Sequence, residues 1–480
     1  MVGWLLEESD LKRYPHFDSW ISRNEAIALA TDQNRVAVHP FFPFIRYIQR
    51  YTRFAKKGRS GKVKERPIRY AARTDAYIFS YYRHLLSERY EIALKSAQLD
   101  QSILAYRKIP DESGKGGKCN IHFARDAFLK IRQLGTCCVI AADISSFFEH
   151  LDHAHLKTEW SRMLGVARLP DDHFKVFRAI TKYSVVDKQK VYERLGYFGP
   201  KRKTKSGVTL KGYLRAFHDM PIQLCTGSEF REKIAGGDGN NSLIVTNFKP
   251  YGIPQGAGIS DLLANLYLFD FDKIMLDRIC SIGGWYLRYS DDILIILPGQ
   301  LTEAMLVLNA MANLIKSFGS KLEIKDEKTS IYLVKAVGDY QEVKLAKGSH
   351  GRNGIEYLGF RYNGRKVYVR DSTLSNLHRK ITRVARRNAV ALARRYPDKD
   401  LTELQSLFDY EHLVQKFGRV RDFGELSNEY RNWTFWTYAR RAAKILGKEG
   451  LPILRQLRNH RKNIYERVNY ELARAISRRA

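Results

Sequence analysis

The sequence predicts an α+β fold in which a strand-bearing core is followed by a basic, helical C-terminal region. Three observations predict it. A buried run, "CCVIAAD", ends in Asp143. Two β-forming runs flank a pair of adjacent aspartates, Asp291 and Asp292, in "WYLRYSDDILIIL". From about residue 371 the chain is Arg-rich, carries apolar residues at helical spacing and has almost no strand signal. Helix first, then mixed β and α, then helix is the order expected of an α+β core with a helical appendage. The predicted segments are an N-terminal region over 1–120, a core over 121–370 and a helical basic region over 371–480.

Taken in order, the first 110 residues read as mostly helical with basic loops. The Lys/Gly-rich stretch "FAKKGRSGKVKERP" leads into a helix on which Ile78, Tyr81, Tyr82 and Leu85 recur with period 3.6. "PDESGKGGKCN" is a flexible basic loop. A buried strand over 137–142 ends at Asp143, and "HLDHAHLKTEWSRMLG" follows as a helix capped by Asp152. "GPKRKTKSGVTLKG" is a charged insertion or hairpin. "IPQGAGISDLLANLYLFDFDKIM" is a turn opening an amphipathic helix. The Asp-Asp hairpin comes next, then a helix over 302–318 and strands in "KLEIKDEKTSIYLV" and "GIEYLGFRYNGRKVYV". In the C-terminal region Arg379, Arg383 and Arg387 share one helix face, opposite an apolar stripe of Leu377, Ile381, Val384 and Leu392.

Composition narrows the function. Hydrophobic residues make up 44% of the 480, enough to fill a sizeable core, while the net charge is +31. A chain this basic calls for a polyanionic partner, and nucleic acid is the default. No run of 18 apolar residues is present, so a membrane is not the expected partner. The start, "MVGWLLEESDLKRYPHF", turns acidic directly after its short apolar run and is not read as a signal peptide. Cys119, Cys137, Cys138, Cys225 and Cys280 form no C-x-x-C pair and no zinc spacing, as expected of a cytoplasmic chain with reduced thiols. His150, His153 and His155 invite a zinc reading, but a capped helix start accounts for them better.

Adjacent carboxylates in a tight turn repel, and a cation is the natural offset. A strand end and a neighbouring hairpin tip can bring Asp143 and Asp291 within reach of one ion. Mg²⁺ takes hard oxygen ligands, commonly one or two carboxylates completed by water and substrate phosphates. Two such ions about 3.5–4 Å apart stabilise the attacking and leaving oxygens of a phosphoryl transfer.

These pieces carry a resemblance. "AADISSFF", "GIPQG" with "LLANLYL", "YSDD", "EKT" and "YLGF" occur in the order and rough spacing of motifs A to E of reverse transcriptases, and "KERPIRYAARTDAYI" resembles the fingers motif that precedes them. The resemblance spans roughly residues 60–365. "YPHFD", "HPFFPF", "AYRKIP" and "DISSFFEHLDH" look like the bacterial defence-associated (unknown-group) antiviral reverse transcriptases, type 2 among them. The resemblance implies a right-hand polymerase: fingers within 1–120, a fingers/palm core over 121–370, and a helical thumb with a C-terminal extension over 371–480. It implies RNA-templated addition of dNMPs to a primer 3′-OH with two Mg²⁺ ions. A companion structured non-coding RNA would be the template, cDNA and an RNA–DNA hybrid the products, and antiviral defence the setting.

Carried onto this sequence, Asp143 and Asp291 match the metal-binding carboxylates, Asp292 their auxiliary neighbour, and the carbonyl of Ile144 a further metal ligand. Phe148 matches the steric gate that excludes a ribose 2′-OH. Gln255 would touch the incoming nucleotide, and Gly256 would let the backbone approach it. Lys64 and Arg66 match the fingers cations that hold the triphosphate. Lys328 matches the motif D lysine, an acid for the leaving pyrophosphate, and Tyr357, Leu358, Gly359 and Phe360 match the primer grip. Arg379, Arg383 and Arg387 are expected to contact structured RNA or RNA–DNA duplex. Two departures bear on the substrate path: Asp261 stands where many relatives carry Pro, and the span from Asp143 to Gln255 is long and contains the basic insertion 199–212. Two other functions fit the same residues, a template-independent polymerase on the same palm and a non-catalytic RNA-binding, maturase-like protein. The intact carboxylate set argues against the second.

Overall fold

A computed structural model describes residues 3–52, 63–114, 116–203, 207–237, 239, 241–349, 351–417 and 434–478. Its centre is a five-stranded antiparallel sheet in the order Tyr340–Lys347, Ser330–Val337, Cys137–Asp143, Asp292–Leu297, Trp285–Tyr289. The two middle strands are apolar almost throughout, because each face of the sheet meets a different core. Ile293, Ile295 and Leu297 join one hydrophobic cluster with Cys138, Ile140 and Ala142. Leu294 and Ile296 join the other with Cys137 and Val139. Side chains of a strand point alternately to the two faces, so burial on both faces reads as a continuous apolar run.

The first core is closed by helices. Arg73–Ser96, His153–Leu164, Ser260–Tyr267, Phe269–Cys280 and Leu301–Ser317 contribute Tyr82, Trp160, Leu263, Phe271 and Met311 to it. Asp152 caps its helix as expected, its side chain accepting from the His155 N–H. His153 and His155 then turn their rings to separate backbone carbonyls, those of Gly252 and Tyr267. This agrees with the capped-helix reading of the histidine cluster.

The N-terminal region departs from the helical expectation. Phe44–Thr52 and Val63–Tyr70 form an antiparallel pair within a four-stranded sheet completed by Ser184–Asp187 and Val245–Thr246. Basic and polar residues interrupt both strands, which hides their alternation. Pro67 is tolerated because Val63–Tyr70 is the edge strand, where a missing N–H costs no ladder bond. The charged insertion is a hairpin, Phe198–Lys203 against Thr209–Tyr213.

The second core joins the sheet to the C-terminal helices. The meander Ile355–Tyr357, Phe360–Tyr362, Val367–Val369 places Ile355, Phe360 and Val369 in it, alongside Leu377, Ile381, Leu413, Ile464 and Leu472. Gln456 clamps this junction, accepting from the Val369 N–H at 2.9 Å and donating to the Val369 carbonyl at 3.1 Å. The long helix Asp371–Arg395 buries Leu377, Ile381, Ala385, Ala389 and Ala393, one residue every four. The apolar stripe is therefore completed by alanines rather than by Val384 and Leu392, which sit at its margin only partly buried. Small residues there let the last helix, His460–Ile476, pack close alongside. Ala389→Leu is expected to overpack that seam and cost about 1–3 kcal/mol. The measurement is the midpoint of thermal or urea unfolding, and an unchanged midpoint would show that the seam has room.

Candidate active site

The sheet register assembles the acidic cluster. Asp143, the last residue of its strand, stands opposite Asp292 in the antiparallel pairing. Tyr289 pairs with Asp292, so the hairpin turn consists of Ser290 and Asp291 alone. The Ile144 N–H donates to the Asp291 carbonyl at 2.9 Å, fixing the end of one strand to the turn of the other. Ser145 N–H donates to the Glu323 carbonyl, which ties the same corner to the segment leading to Lys328. The predicted approach of Asp143 to Asp291 and Asp292 is thus a consequence of backbone pairing.

Like charges so placed resist ionisation. Burial and then the Asp143 charge push the Asp291 carboxyl up. Burial, followed by the charges of Asp291 and Asp143, pushes Asp292 up to about 7. Lys328, on the one-turn helix Asp326–Lys328, forms an ion pair with Asp143. Among the described residues no group of three His, Cys, Asp or Glu side chains is disposed to cage a metal unaided. The donor set nevertheless fits a hard divalent cation, because carboxylates in such a site share the ion with substrate phosphates and water.

Beneath the turn lies a network that the sequence reading did not anticipate. Arg288 and Asp272 form a fully buried ion pair, with guanidinium–carboxylate contacts at 2.7 and 2.5 Å. Arg288 Nη1 also donates to the Ser290 carbonyl at 3.0 Å and to Asn265 Oδ1 at 3.1 Å. Tyr286 donates its hydroxyl proton to Asp272 at 2.7 Å, and Asn265 donates to the Ala105 carbonyl at 2.8 Å. One guanidinium thereby links the turn, the helix after the Pro-Gln-Gly stretch, and the segment 102–106. That segment adds a further bridge to the outer edge of the hairpin, through Arg288 N–H to the Ser102 carbonyl and Leu104 N–H to the Arg288 carbonyl. Tyr106 reaches Ser290, its hydroxyl 3.1 Å from Oγ. The available sequence signal was Arg288 itself, which shares the inward strand face with Tyr286 in an otherwise apolar hairpin.

The other predicted residues divide. Phe148 is half-buried in the short helix Phe147–His150, and its carbonyl accepts from the Ile253 N–H, which holds it against the Pro-Gln-Gly turn. The Gln255 carbonyl accepts from the Arg69 N–H at 3.1 Å. Gly256 is explained differently from the expectation: it has φ of 115°, and a Cβ there would lie 2.2 Å from the Arg69 carbonyl oxygen. Its smallness admits the neighbouring strand, which the structure requires whether or not a nucleotide approaches. Arg69 also forms a bidentate pair with Glu149, at 2.7 and 3.3 Å, locking the strand Val63–Tyr70 to the helix that bears Phe148. Arg66 is exposed on the same edge strand. The backbone of Lys64 pairs with Tyr51, and its side chain lies outside the described residues.

The four residues matched to the primer grip do not act as one surface. Tyr357 and Phe360 are buried in the second core, and only the turn residues Leu358 and Gly359 are partly exposed. Strand alternation, with a two-residue turn at left-handed φ of 46° and 91°, forces this division. Asn120 steadies the turn by donating to the Leu358 carbonyl at 3.0 Å. Asp261, the departure from the motif B pattern, forms a two-point pair with Arg83, both contacts at 3.1 Å, and Arg83 also donates to the Tyr106 carbonyl. Arg379, Arg383 and Arg387 lie on the long helix and line a concave seam, not a flat outward row.

A palm sheet carrying paired carboxylates at a strand end and an adjoining hairpin turn is the arrangement of a nucleotidyltransferase of the right-hand polymerase fold. Residues 208–362 match the family described as reverse transcriptase (RNA-dependent DNA polymerase). The matched stretch indicates a nucleotidyltransferase of the RNA-directed DNA polymerase kind. The match begins beyond Asp143, whose place in the site follows from the sheet register. No curated protein matches the chain. Among solved structures it is similar to apo telomerase from Candida tropicalis truncated from its C-terminal domain, with 11% identity, TM-score 0.38, and coverage of 68% of this chain and 55% of that one. It is also similar to apo telomerase from Candida tropicalis, with 14% identity, TM-score 0.37, and coverage of 95% and 69%. Telomerase from Candida albicans in complex with a TWJ fragment of telomeric RNA gives 12% identity, TM-score 0.35, and coverage of 92% and 61%. The chain thus spans about half the length of the first of these.

Arg288→Met would leave Asp272 buried without its partner, and a loss of about 3–5 kcal/mol is expected. Adding Asp272→Leu should recover much of that stability, since an apolar pair of similar volume carries no desolvation cost. Urea unfolding of the two variants checks both outcomes; equal destabilisation by the single and double changes would contradict this account.

Proposed function

We propose that the chain copies RNA into DNA by adding dNMPs to a primer 3′-OH, with Asp143, Asp291 and Asp292 and the carbonyl of Ile144 holding two Mg²⁺ ions. The observation that carries this is the sheet register that sets Asp143 opposite Asp292 with Asp291 in the adjoining turn, on a chain with a reverse transcriptase domain. Ions bound there would neutralise charge on the attacking and leaving oxygens. The residues of this chain do the positioning. The Arg69–Glu149 and Arg69–Gln255 contacts support a nucleotide floor made of Phe148 and the Pro-Gln-Gly turn. Phe148 excludes a 2′-hydroxyl, Lys64 and Arg66 hold the triphosphate, and the turn Leu358–Gly359 steadies the primer. Lys328, at the edge of the cluster beside Asp143, is the proton donor for the departing pyrophosphate.

The substrate set under this proposal is dNTPs, an RNA template and an RNA–DNA hybrid product. The likeness of "YPHFD", "HPFFPF" and "AYRKIP" to defence-associated reverse transcriptases supports a cytoplasmic antiviral role with a companion non-coding RNA as template. The chain operates in this account as fingers, palm and thumb with boundaries near 120 and 370.

Primer extension on an annealed RNA template tests the site. Asp291→Ala together with Asp292→Ala should abolish synthesis while leaving folding and RNA binding intact, because several kcal/mol of transition-state charge stabilisation are lost. Extension at more than a small fraction of the wild-type rate would show that the chemistry lies elsewhere. Phe148→Ala should raise rNTP use relative to dNTP, read as the ratio of kcat/KM values, since the ring acts by exclusion. An unchanged ratio assigns the gate to another residue.

A further inference from the structure

The long helix Asp371–Arg395 and the last helix His460–Ile476 pack side by side, and the seam between them opens into a cleft of about 920 Å³. Arg379, Arg383, Arg387 and Arg394 line it from the long helix, and Arg467 faces them from the last helix. Arg386 is already answered within the fold, paired at 2.9 Å with the buried Glu471. Arg383, Arg387, Arg394 and Arg467 form no ion pair among the described residues. A second cavity, of about 480 Å³, shares His378, Thr382 and Arg467 with the first and continues the seam to Tyr470. The Tyr470 side chain is large, aromatic and 56% exposed, and the Arg467 guanidinium lies 5.4 Å from its ring centroid.

We propose that this seam binds single-stranded nucleic acid, with phosphates along the arginines and a base stacked on Tyr470. An electropositive groove that follows the backbone, together with an exposed aromatic ring, makes up the two parts of a single-strand platform. Shape selects the single strand over the duplex. The two helices pack in direct contact, so the cleft between their side chains is narrow and suits a flexible strand. A duplex is a stiff, convex cylinder and can only rest across the rim. The duplex contact expected from the arginine spacing alone is therefore revised: these arginines hold unpaired RNA, outside the palm and independently of its chemistry.

The test uses the full chain and two labelled probes, a short oligouridine and a blunt RNA hairpin stem, titrated at several salt concentrations. Tyr470→Ala should weaken oligouridine binding roughly 5- to 100-fold, the range of one lost base–aromatic stack. Tyr470→Phe should retain binding, and affinity for the stem should not change with either substitution. Arg383→Glu with Arg387→Glu should weaken oligouridine binding and lower the log–log salt slope by roughly 0.7 for each lost phosphate contact. All variants should keep wild-type unfolding midpoints and extend a pre-annealed primer, which separates failure here from failure of the palm assignment. The proposal is overturned if oligouridine affinity and salt slope stay at wild-type values, or if stem and oligouridine lose affinity equally.

Discussion

Holding like charges together is the constraint on which the rest of this structure depends. Two unit charges about 4 Å apart near a protein surface interact by about 4 kcal/mol. A cluster of three aspartates must therefore be built on a frame that cannot relax by spreading. Here the frame is backbone hydrogen bonding: the Asp143 strand end is paired to Asp292, and the Ile144 N–H is bound to the Asp291 carbonyl. Under the turn, the buried Arg288 guanidinium holds the Ser290 carbonyl and is itself neutralised by Asp272. Such a pair contributes little net stability compared with an apolar replacement. Its effect is geometric, because it fixes the height of the turn relative to the neighbouring helix and the 102–106 segment.

Backbone conformation tells the same story. Tyr106, Ser146, Ser290 and Leu358 all have positive φ, between 46° and 64°, although none is glycine. Left-handed backbone costs an L-residue about 1–2 kcal/mol. All four border the acidic corner or the turns that flank it, and partners from elsewhere in the chain hold three of them and the residue before the fourth. Tyr106 and Ser290 hold one another, Asn120 holds the Leu358 carbonyl, and Ser146 follows directly on Ser145, whose N–H is bound to Glu323. Tertiary contacts thus select conformations that the local sequence disfavours, at the places where a side chain or carbonyl must point in one direction.

The C-terminal helices are not a separate body hung on the palm. They share a hydrophobic core with one face of the central sheet, so Leu294 and Ile296 of the hairpin, Phe360 of the meander and Leu377 of the long helix belong to one packed cluster. A shift of the long helix is therefore felt by the sheet that carries the aspartates. The alanines at 385, 389 and 393 bring the last helix close enough to turn a row of arginines into a groove, and that change of shape changes the ligand it suits.

The sequence by itself determined the elements whose signal is local. The buried run ending at Asp143, the Asp-Asp hairpin, the helix capped by Asp152 and the arginine spacing on the long helix all come from periodicity or capping within a few residues. It pointed to the acidic constellation as well, because two adjacent aspartates between such apolar strands repel each other and stand out from the runs on either side. Only the tertiary structure decided what depends on pairing across long separations. The edge strand Val63–Tyr70 was hidden by its charges until a partner strand gave it register. Asp272 could not be told from the partly exposed Asp270 until Arg288 came to lie beside it. The need for glycine at 256 was legible only as room for a nucleotide, and the fold adds the Arg69 carbonyl packed against it. Tyr357 and Phe360 read as a binding surface until the meander turned them inward. In each case the side chain's role is set by what the fold brings to it from a distant part of the chain, and no periodicity within a strand or helix records that.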